Sequence, residues 1–505
     1  MNLHDLFAIP RQRTPHKAAL EYVDNAGQTQ QATYAQLYAQ VDALAAGLQK
    51  WGLRKGDRVA FYLNNRLEFV VSYLAVLRVG AIMVPVNLRY RRLEIAHILD
   101  DSAPRLIITE RAQLPILDEL QPGEKASVEA ILLAEEMDGW LADAAALNPP
   151  VVEADDLGLI MYTSGTTGRS KGAMITHNNV IATVTGLMSA WAWQPDDVLL
   201  LCLPLFHTHG LVVGLHCALA MGATVLLREK YEGAATVSDL NSGRPTLFFA
   251  VPTIYVRLID ELQNTPQLSL QNMRLFCSGS APLAAETHAA FESITGHIIL
   301  ERYGMTETGM NLSNPYAGPR LAGTVGTPLP GVSMRIVNEA AGGGWQDTAL
   351  GEEGELLVRG SNVFSGYWQA PEKTAESFSH DALGQQWFHT GDLARQDPQT
   401  GYVTLLGRRH ELIISGGFNI YPREIEEMLL TFPGVLEAAV IGAPHAEWGE
   451  VPEAYLVCNG AIDETGLHAY CRQQLASFKT PKAFHYVDSL PRNAMGKLQK
   501  HLLKK

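Results

Sequence analysis

Leu157-Gly158-Leu159-Ile160-Met161-Tyr162-Thr163-Ser164-Gly165-Thr166-Thr167-Gly168-Arg169-Ser170-Lys171-Gly172 sets an apolar, β-prone run directly before a stretch of hydroxyls, glycines and one lysine. Leu157 to Tyr162 reads as a buried strand. From Thr163 to Gly172, closely spaced backbone N–H groups and hydroxyls make an anion-binding concavity, and Lys171 adds a point charge. Polyphosphate suits such a loop. Composition by itself favours a flexible surface turn; the strand before it and the segments below favour phosphate. A Walker A loop requires Gly-Lys-Ser/Thr after four intervening residues. Here Gly168 is followed by Arg169-Ser170-Lys171, so spacing excludes that motif.

Outward from this segment, helical periodicity is clear over Tyr34–Trp51 and Leu67–Arg78, each followed by a β-rich run, Arg58–Tyr62 and then Ala81–Val86. Arg105–Thr109 and Ala223–Leu227 read as further short buried strands after helices. That alternation predicts α/β layers with parallel strands. From about Gly323 to Gly407 short strands are separated by Gly, Pro and Asp, as in Met334–Val337, Gly354–Arg359 and Tyr402–Leu406, which predicts a β-rich subdomain. Beyond Arg408 the order is strand, Gly-Gly turn, helix (Pro422–Leu430), two strands (Ala438–Gly442, Glu453–Cys458) and helix (Glu464–Leu475). The fold expected is α/β: a large N-terminal domain, residues 1–409, of layered α/β subdomains plus the β-rich subdomain. A small mobile α+β C-terminal domain, 410–505, follows it.

With 505 residues, of which 47% are hydrophobic, the chain has ample material for several cores. Its formal net charge of -14 disfavours nucleic acid and anionic membranes as partners, so an anionic ligand has to be met by local groups. Cys202, Cys217, Cys277, Cys458 and Cys471 show neither CxxC pairs nor Cys/His ligand spacing. A reducing, cytoplasmic setting is expected, since Arg11, Arg13 and Lys17 are followed by no apolar signal-peptide core. Phe69–Val86 is apolar but broken by Arg78, Gly80 and Pro85, so a buried helix and strand are expected there, not a membrane span.

Four further segments share the order and approximate spacing of one family: Tyr303-Gly304-Met305-Thr306-Glu307, Thr390-Gly391-Asp392, Gly407-Arg408 and Pro491-Arg492-Asn493-Ala494-Met495-Gly496-Lys497. With the Thr163–Gly172 segment, they resemble the adenylate-forming superfamily of acyl-CoA synthetases, luciferases and peptide-synthetase adenylation domains. The resemblance runs from about Leu3 to the C-terminus and leaves no room for a carrier-protein domain. It implies ATP, CoA and Mg2+ as cofactors. Thr163, Ser164, Gly165, Thr166, Thr167, Gly168 and Lys171 would cradle the β- and γ-phosphates. Thr306 and Glu307 would sit at the α-phosphate, with Glu307 on magnesium. Gly279, Ser280, Ala281, Glu301 and Tyr303 would line the nucleotide pocket, and Asp392 and Arg408 would face the ribose. Lys497 would be the mobile catalytic lysine and Ser415-Gly416-Gly417-Phe418 the loop admitting the CoA thiol. His410 would be the hinge, where the family usually carries Asp or Lys. Taken alone, Thr306-Glu307 is a helix-start pattern, Asp392 an Asx-turn residue and Lys497 a solvated tail residue.

The acid is read from Arg257, Ser280, Arg302 and His207. Two guanidiniums near an acyl pocket suit a second carboxylate, which planar forks grip bidentately. Periodicity alone puts Arg257 on the exposed face of a helix that buries Leu258, Ile259 and Leu262. Likewise, His207 and His209 alone are more often packing or turn residues. The segments Glu301–Glu307, Ser278–Leu283 and Pro204–Gly210 nevertheless resemble malonyl-CoA synthetases. In that case Arg257, Ser280 and Arg302 hold the distal carboxylate of malonate and His207 closes the pocket. Methylmalonate is a second expected substrate. The competing readings are a ligase for oxalate, succinate or acetate, a member passing its acyl group to an acceptor other than CoA, and a non-catalytic nucleotide-binding member.

Overall fold

The computed structural model describes residues 2–163, 170–265, 268–340, 343–415, 418–445, 448–475, 477–492 and 498–503. Contacts divide the chain into two compact units, Met1–Ser333 with Val358–Phe388, and Met334–Leu357 with His389–Lys505. The β-rich stretch therefore contributes strands to both units.

Two sheets organise the first unit. One runs Ala130–Leu133, Leu106–Thr109, Arg58–Tyr62, Ile82–Pro85, Leu157–Thr163 and Lys171–Thr176. Its neighbours are parallel except for the last pair, where Leu157–Thr163 and Lys171–Thr176 form an antiparallel hairpin. The sequence reading anticipated the first strand of that hairpin and missed the second. The connecting helices follow the apolar periodicity. Tyr34–Trp51 begins at a Thr33/Gln36 capping box and ends at Gly52, whose φ of 109° suits a residue without a Cβ. Leu67–Arg78 buries every residue from Phe69 to Leu77, as expected of an internal helix. No described helix is long and apolar enough to cross a membrane.

The other sheet has the order Thr327–Pro328, Gly309–Ser313, Leu300–Met305, Leu275–Ser278, Leu247–Ala250, Val198–Leu201, Thr224–Arg228, Ala18–Val23, Thr29–Thr33. Its centre is parallel and its margins antiparallel. Under it Phe248, Tyr255, Phe276 and Phe291 interlock edge to face. Each such buried ring contributes roughly 1.5–3 kcal/mol by removal from water. This packing supports the strands Leu275–Ser278 and Leu300–Met305, from whose ends Ser280 and Arg302 project.

In the second unit, Phe418–Ile420, Ile413–Ser415, Gly449–Cys458 and Val435–His445 form a sheet, with Ala483–Tyr486 parallel to Gly449–Cys458. Helices Pro422–Leu430 and Glu464–Gln474 close its core through Ile425, Leu429, Leu467 and Cys471. Arg409, in the turn Arg409–Glu411, bonds Glu355 and Glu339, each at 2.6 Å. Lys500 reaches Glu411 at 3.1 Å and Glu426 at 2.7 Å.

Candidate active site

The hairpin of Leu157–Thr163 and Lys171–Thr176 has Thr163 paired with Lys171 as its last described rung. Several groups brace its stem. His97 Nε2 donates to the Ser170 carbonyl at 2.8 Å, the Trp368 backbone N–H donates to Gly172 at 2.7 Å, and the Tyr162 hydroxyl donates to Asp101. A Cβ on Gly172 would come within 2.7 Å of Ile160, so the close approach requires glycine.

Glu307 is brought to this stem by the short turn Thr306–Thr308, which joins the strands Leu300–Met305 and Gly309–Ser313. Asn362 Nδ2 donates to the Thr308 carbonyl at 2.7 Å, and the Phe364 N–H donates to the Glu307 carbonyl at 2.8 Å. The buried carboxylate accepts from Thr163 Oγ1 at 3.1 Å and from the Tyr367 hydroxyl at 3.1 Å, both on Oε1. Lys171 Nζ stands 5.1 Å from the centre of the Tyr367 ring. Thr163, Lys171 and Glu307, separate in sequence, thus meet around Tyr367. Sequence reasoning missed that tyrosine, because a tyrosine between Gly366 and Trp368 carries no charge or spacing signal. A carboxylate with one oxygen tied to hydroxyls, and the other without a hydrogen bond among the described residues, fits a hard divalent cation such as magnesium.

The residues expected from sequence to meet the acid, Ser280 and Arg302, leave the carboxyl ends of parallel strands, where α/β sheets open their crevices. Leu275–Ser278 and Leu300–Met305 pair Ser278 with Glu301, placing Gly279-Ser280 beside Arg302. A Cβ on Gly279 would lie 2.4 Å from Arg302 Cζ, so glycine there makes room for the guanidinium. Arg302 is 4% exposed, and its Nε and Nη2 have no hydrogen-bond partner among the described residues. Burial lowers its pKa from the ordinary arginine value, partly offset by Cys277. His209 comes from the buried π-helical segment His209–His216, an irregularity frequent at functional sites. Its Nδ1 lies 3.3 Å from Ser280 Oγ, and its Nε2 has no described partner. Burial, then Arg302 and His207, hold its pKa well below the usual range, so its imidazole is neutral. Ser278 Oγ is also buried without a described partner. Ser280 has a left-handed φ of 71°, uncommon for a residue with a Cβ. His207 Nδ1 accepts from the His209 N–H at 3.2 Å.

Arg257 belongs to a different element. It is exposed on helix Pro252–Gln263, beside Tyr231, Gly233, Asp260 and Glu261 in an open groove of about 330 Å³. No described contact joins it to Arg302 or Ser280, and its placement follows the periodicity reading. Among the nucleotide candidates, Glu301 accepts from the Gly323 N–H at 3.0 Å, Tyr303 is buried, and Ala281 is half-buried beside Ser280. In the second unit Asp392 and Arg408 face each other across a hairpin, with Arg408 Nε 2.8 Å from Asp392 Oδ1 and Nη1 donating to the Thr390 carbonyl at 3.0 Å. Ser415 is buried at the end of its strand. Ser164, Gly165, Thr166, Thr167, Gly168, Gly416, Gly417 and Lys497 lie outside the described residues, as do the side chains of His410 and Phe418.

The family model described as AMP-binding enzyme matches residues 7–368, and that of the AMP-binding enzyme C-terminal domain matches 424–497. The chain is 35% identical over 512 residues to the mitochondrial malonate–CoA ligase ACSF3 of Mus musculus, covering 94% of this chain and 86% of that protein. It is 36% identical to a feruloyl-CoA synthase of Amycolatopsis sp, covering 96% and 95% of the two chains. The crystal structure of ATP-bound MatB from Rhodopseudomonas palustris superposes with a TM-score of 0.89 at 40% identity, covering 100% of this chain and 98% of that one. Matches of this extent mean that the chain belongs to the AMP-binding enzyme family and is an acid–thiol ligase of the AMP-forming, acyl-CoA kind.

Proposed function

We propose that this ligase activates malonate, with methylmalonate as a second substrate, through an acyl-adenylate that is then captured by CoA. The observation that carries the reading is Arg302, a buried guanidinium with two nitrogens unpartnered among the described residues, beside Ser278, Ser280 and His209. An unpaired buried charge is costly unless a ligand completes it, and a planar fork suits a carboxylate. An aryl acid such as ferulate would bring no anion to it. The proposed distal-carboxylate set is therefore Arg302 and Ser280, with His207 and His209 alongside. Arg257 remains a candidate from sequence whose place here is the exposed groove.

In the first half-reaction a carboxylate oxygen of the acid attacks the α-phosphorus of ATP and pyrophosphate leaves. In the second, the CoA sulfur attacks the acyl carbonyl and AMP leaves. The protein's work is positioning and charge neutralisation. Thr163, Lys171 and the residues between them would hold the β- and γ-phosphates, Thr306 the α-phosphate, and Asp392, oriented by Arg408, the ribose hydroxyls. Glu307 would hold magnesium, which supplies neutralising charge on the phosphates when bound. Lys497 would reach the reacting oxygens, delivered by a small domain that begins at His410. Five free cysteines fit a reducing, cytoplasmic setting.

The test is AMP release across malonate, methylmalonate, succinate, oxalate, acetate and ferulate, with and without CoA. Malonate should give the highest kcat/KM and need CoA for turnover. Arg302→Ala should lower malonate kcat/KM at least about 100-fold with ATP affinity retained. Full malonate activity in that variant would exclude the dicarboxylate reading.

A further inference from the structure

Tyr367 touches both groups that the phosphates would need, through different parts of its side chain. Its hydroxyl donates to Glu307 Oε1 at 3.1 Å, and its ring face lies 5.1 Å from Lys171 Nζ. The residue is 9% exposed and held on several sides. Its N–H donates to Thr374 Oγ1 at 2.9 Å, it bridges Ala173, and its ring packs edge to face on Phe364 with centroids 4.9 Å apart. The preceding Gly366 has a φ of 132° and no room for a Cβ, which would lie 2.6 Å from Thr374 Cγ2. Its orientation is therefore imposed by the frame, not by the groups it touches.

The two described hydrogen bonds to the Glu307 carboxylate, from Thr163 and from Tyr367, fall on the same oxygen. Two donors on Oε1 fix the carboxylate plane and turn Oε2 to whatever Glu307 binds. The ring acts differently on Lys171. A π-face attracts an ammonium without taking any of its three N–H donors, so the charge is localised while its donors stay available to phosphate oxygens. We propose that Tyr367 is a positioning residue with two separable roles: its hydroxyl orients Glu307 for magnesium, and its ring parks Lys171 over the hairpin stem for the terminal phosphates of ATP.

This assignment rests on the nucleotide part of the reading above and is independent of which acid is activated. Calorimetric titration of the full-length protein with ATP, once with magnesium chloride and once with EDTA, separates the two roles without any turnover. Tyr367→Phe keeps the ring and removes the hydroxyl. It should cut the magnesium-dependent gain in ATP affinity about fivefold and leave affinity in EDTA within twofold of wild type. Tyr367→Leu removes both and should also weaken ATP in EDTA about tenfold. Thr163→Val, which takes the other donor from Oε1, should reproduce the magnesium effect of Tyr367→Phe, and thermal unfolding of each variant reports on the fold. A magnesium gain unchanged in Tyr367→Phe, or equal losses with and without magnesium in that variant, overturns the assignment. Wild-type protein that binds no ATP would overturn the nucleotide reading and this assignment together, whereas failure of the carboxylate panel would touch only the acid.

Discussion

The cluster around Glu307 and the cluster around Arg302, both in the first unit, treat buried polarity in opposite ways. Around Glu307 the polar groups complete one another: two hydroxyls fall on one carboxylate oxygen and an ammonium rests on an aromatic face. Around Arg302 they do not, and Ser278 Oγ, Arg302 Nε and Nη2 and His209 Nε2 are all buried without described partners. Each unsatisfied buried group costs about 1–3 kcal/mol, and an unpaired charge costs more. The first cluster is organised before its ligand arrives; the second holds a cost that an anionic ligand would remove. Chemistry common to a family needs the first kind of site, whereas discrimination between acids profits from the second.

The largest effect that would break this contrast is a reversal of sign. Arg302→Met should abolish malonate activation while raising the free energy of urea unfolding by about 1–4 kcal/mol, because an unpaired buried cation becomes a packed hydrophobe. Glu307→Leu should also abolish activity but lower unfolding free energy by about 1–2 kcal/mol, since it strands two hydroxyls. Equal signs in the two measurements would erase the distinction.

A smaller step displaces the guanidinium without deleting it. The Cβ of Gly279→Ala would lie 2.4 Å from Arg302 Cζ. Malonate kcat/KM should fall about 10- to 100-fold, with ATP affinity unchanged by calorimetry.

Acid separates packed polar groups from ligand-seeking ones. Burial lowers His177 to about 4 against the opposing pull of Asp156 and Asp5, and burial followed by the neighbouring His177 lowers His216 to about 3; neither contacts Arg302, Ser280 or His209 in the described structure. Their folded pKa values lie below the unfolded value, so the unfolded state takes up protons first. Their contribution is fully present above about pH 6.5 and is lost as pH falls toward 4. Each should remove on the order of 2 kcal/mol of stability by pH 5. Urea unfolding of His216→Phe at pH 7.5 and pH 5 should show a smaller drop than wild type by about that amount. Smallest is Thr33→Ala, which deletes the N-cap of Tyr34–Trp51. It should cost about 1 kcal/mol with kcat/KM within twofold, fixing the scale of a purely structural loss.

What sequence could disclose followed from local periodicity. Tyr34–Trp51, Arg58–Tyr62, Leu67–Arg78 and Pro422–Leu430 were readable to the residue because their apolar spacing and end signals agree. The strand Lys171–Thr176 was not, since its start lies inside a segment dominated by loop composition. Nor was the π-helical His209–His216, in which a run of Gly, Leu and Val fits several backbone forms. Of the residues that the structure clusters, motif resemblance and charge had singled out Glu307, Lys171 and Arg302. Tyr367, Ser278 and His209 join them through burial and three-dimensional proximity, which leave no period in the chain. For Arg257 the two kinds of sequence reading diverged, and helix periodicity matched its exposed position.

The antiparallel rung between Thr163 and Lys171 has one more implication, for engineering. It sets Thr163 and Lys171 at the width of a single ladder pair, outside the parallel register of the rest of the sheet. Both positions are therefore fixed by the sheet and serve as anchor points for grafting. A sequence exchanged between them carries a closure cost that grows only slowly with its length, so ATP affinity across such grafts would test the proposed phosphate role with Arg302 untouched.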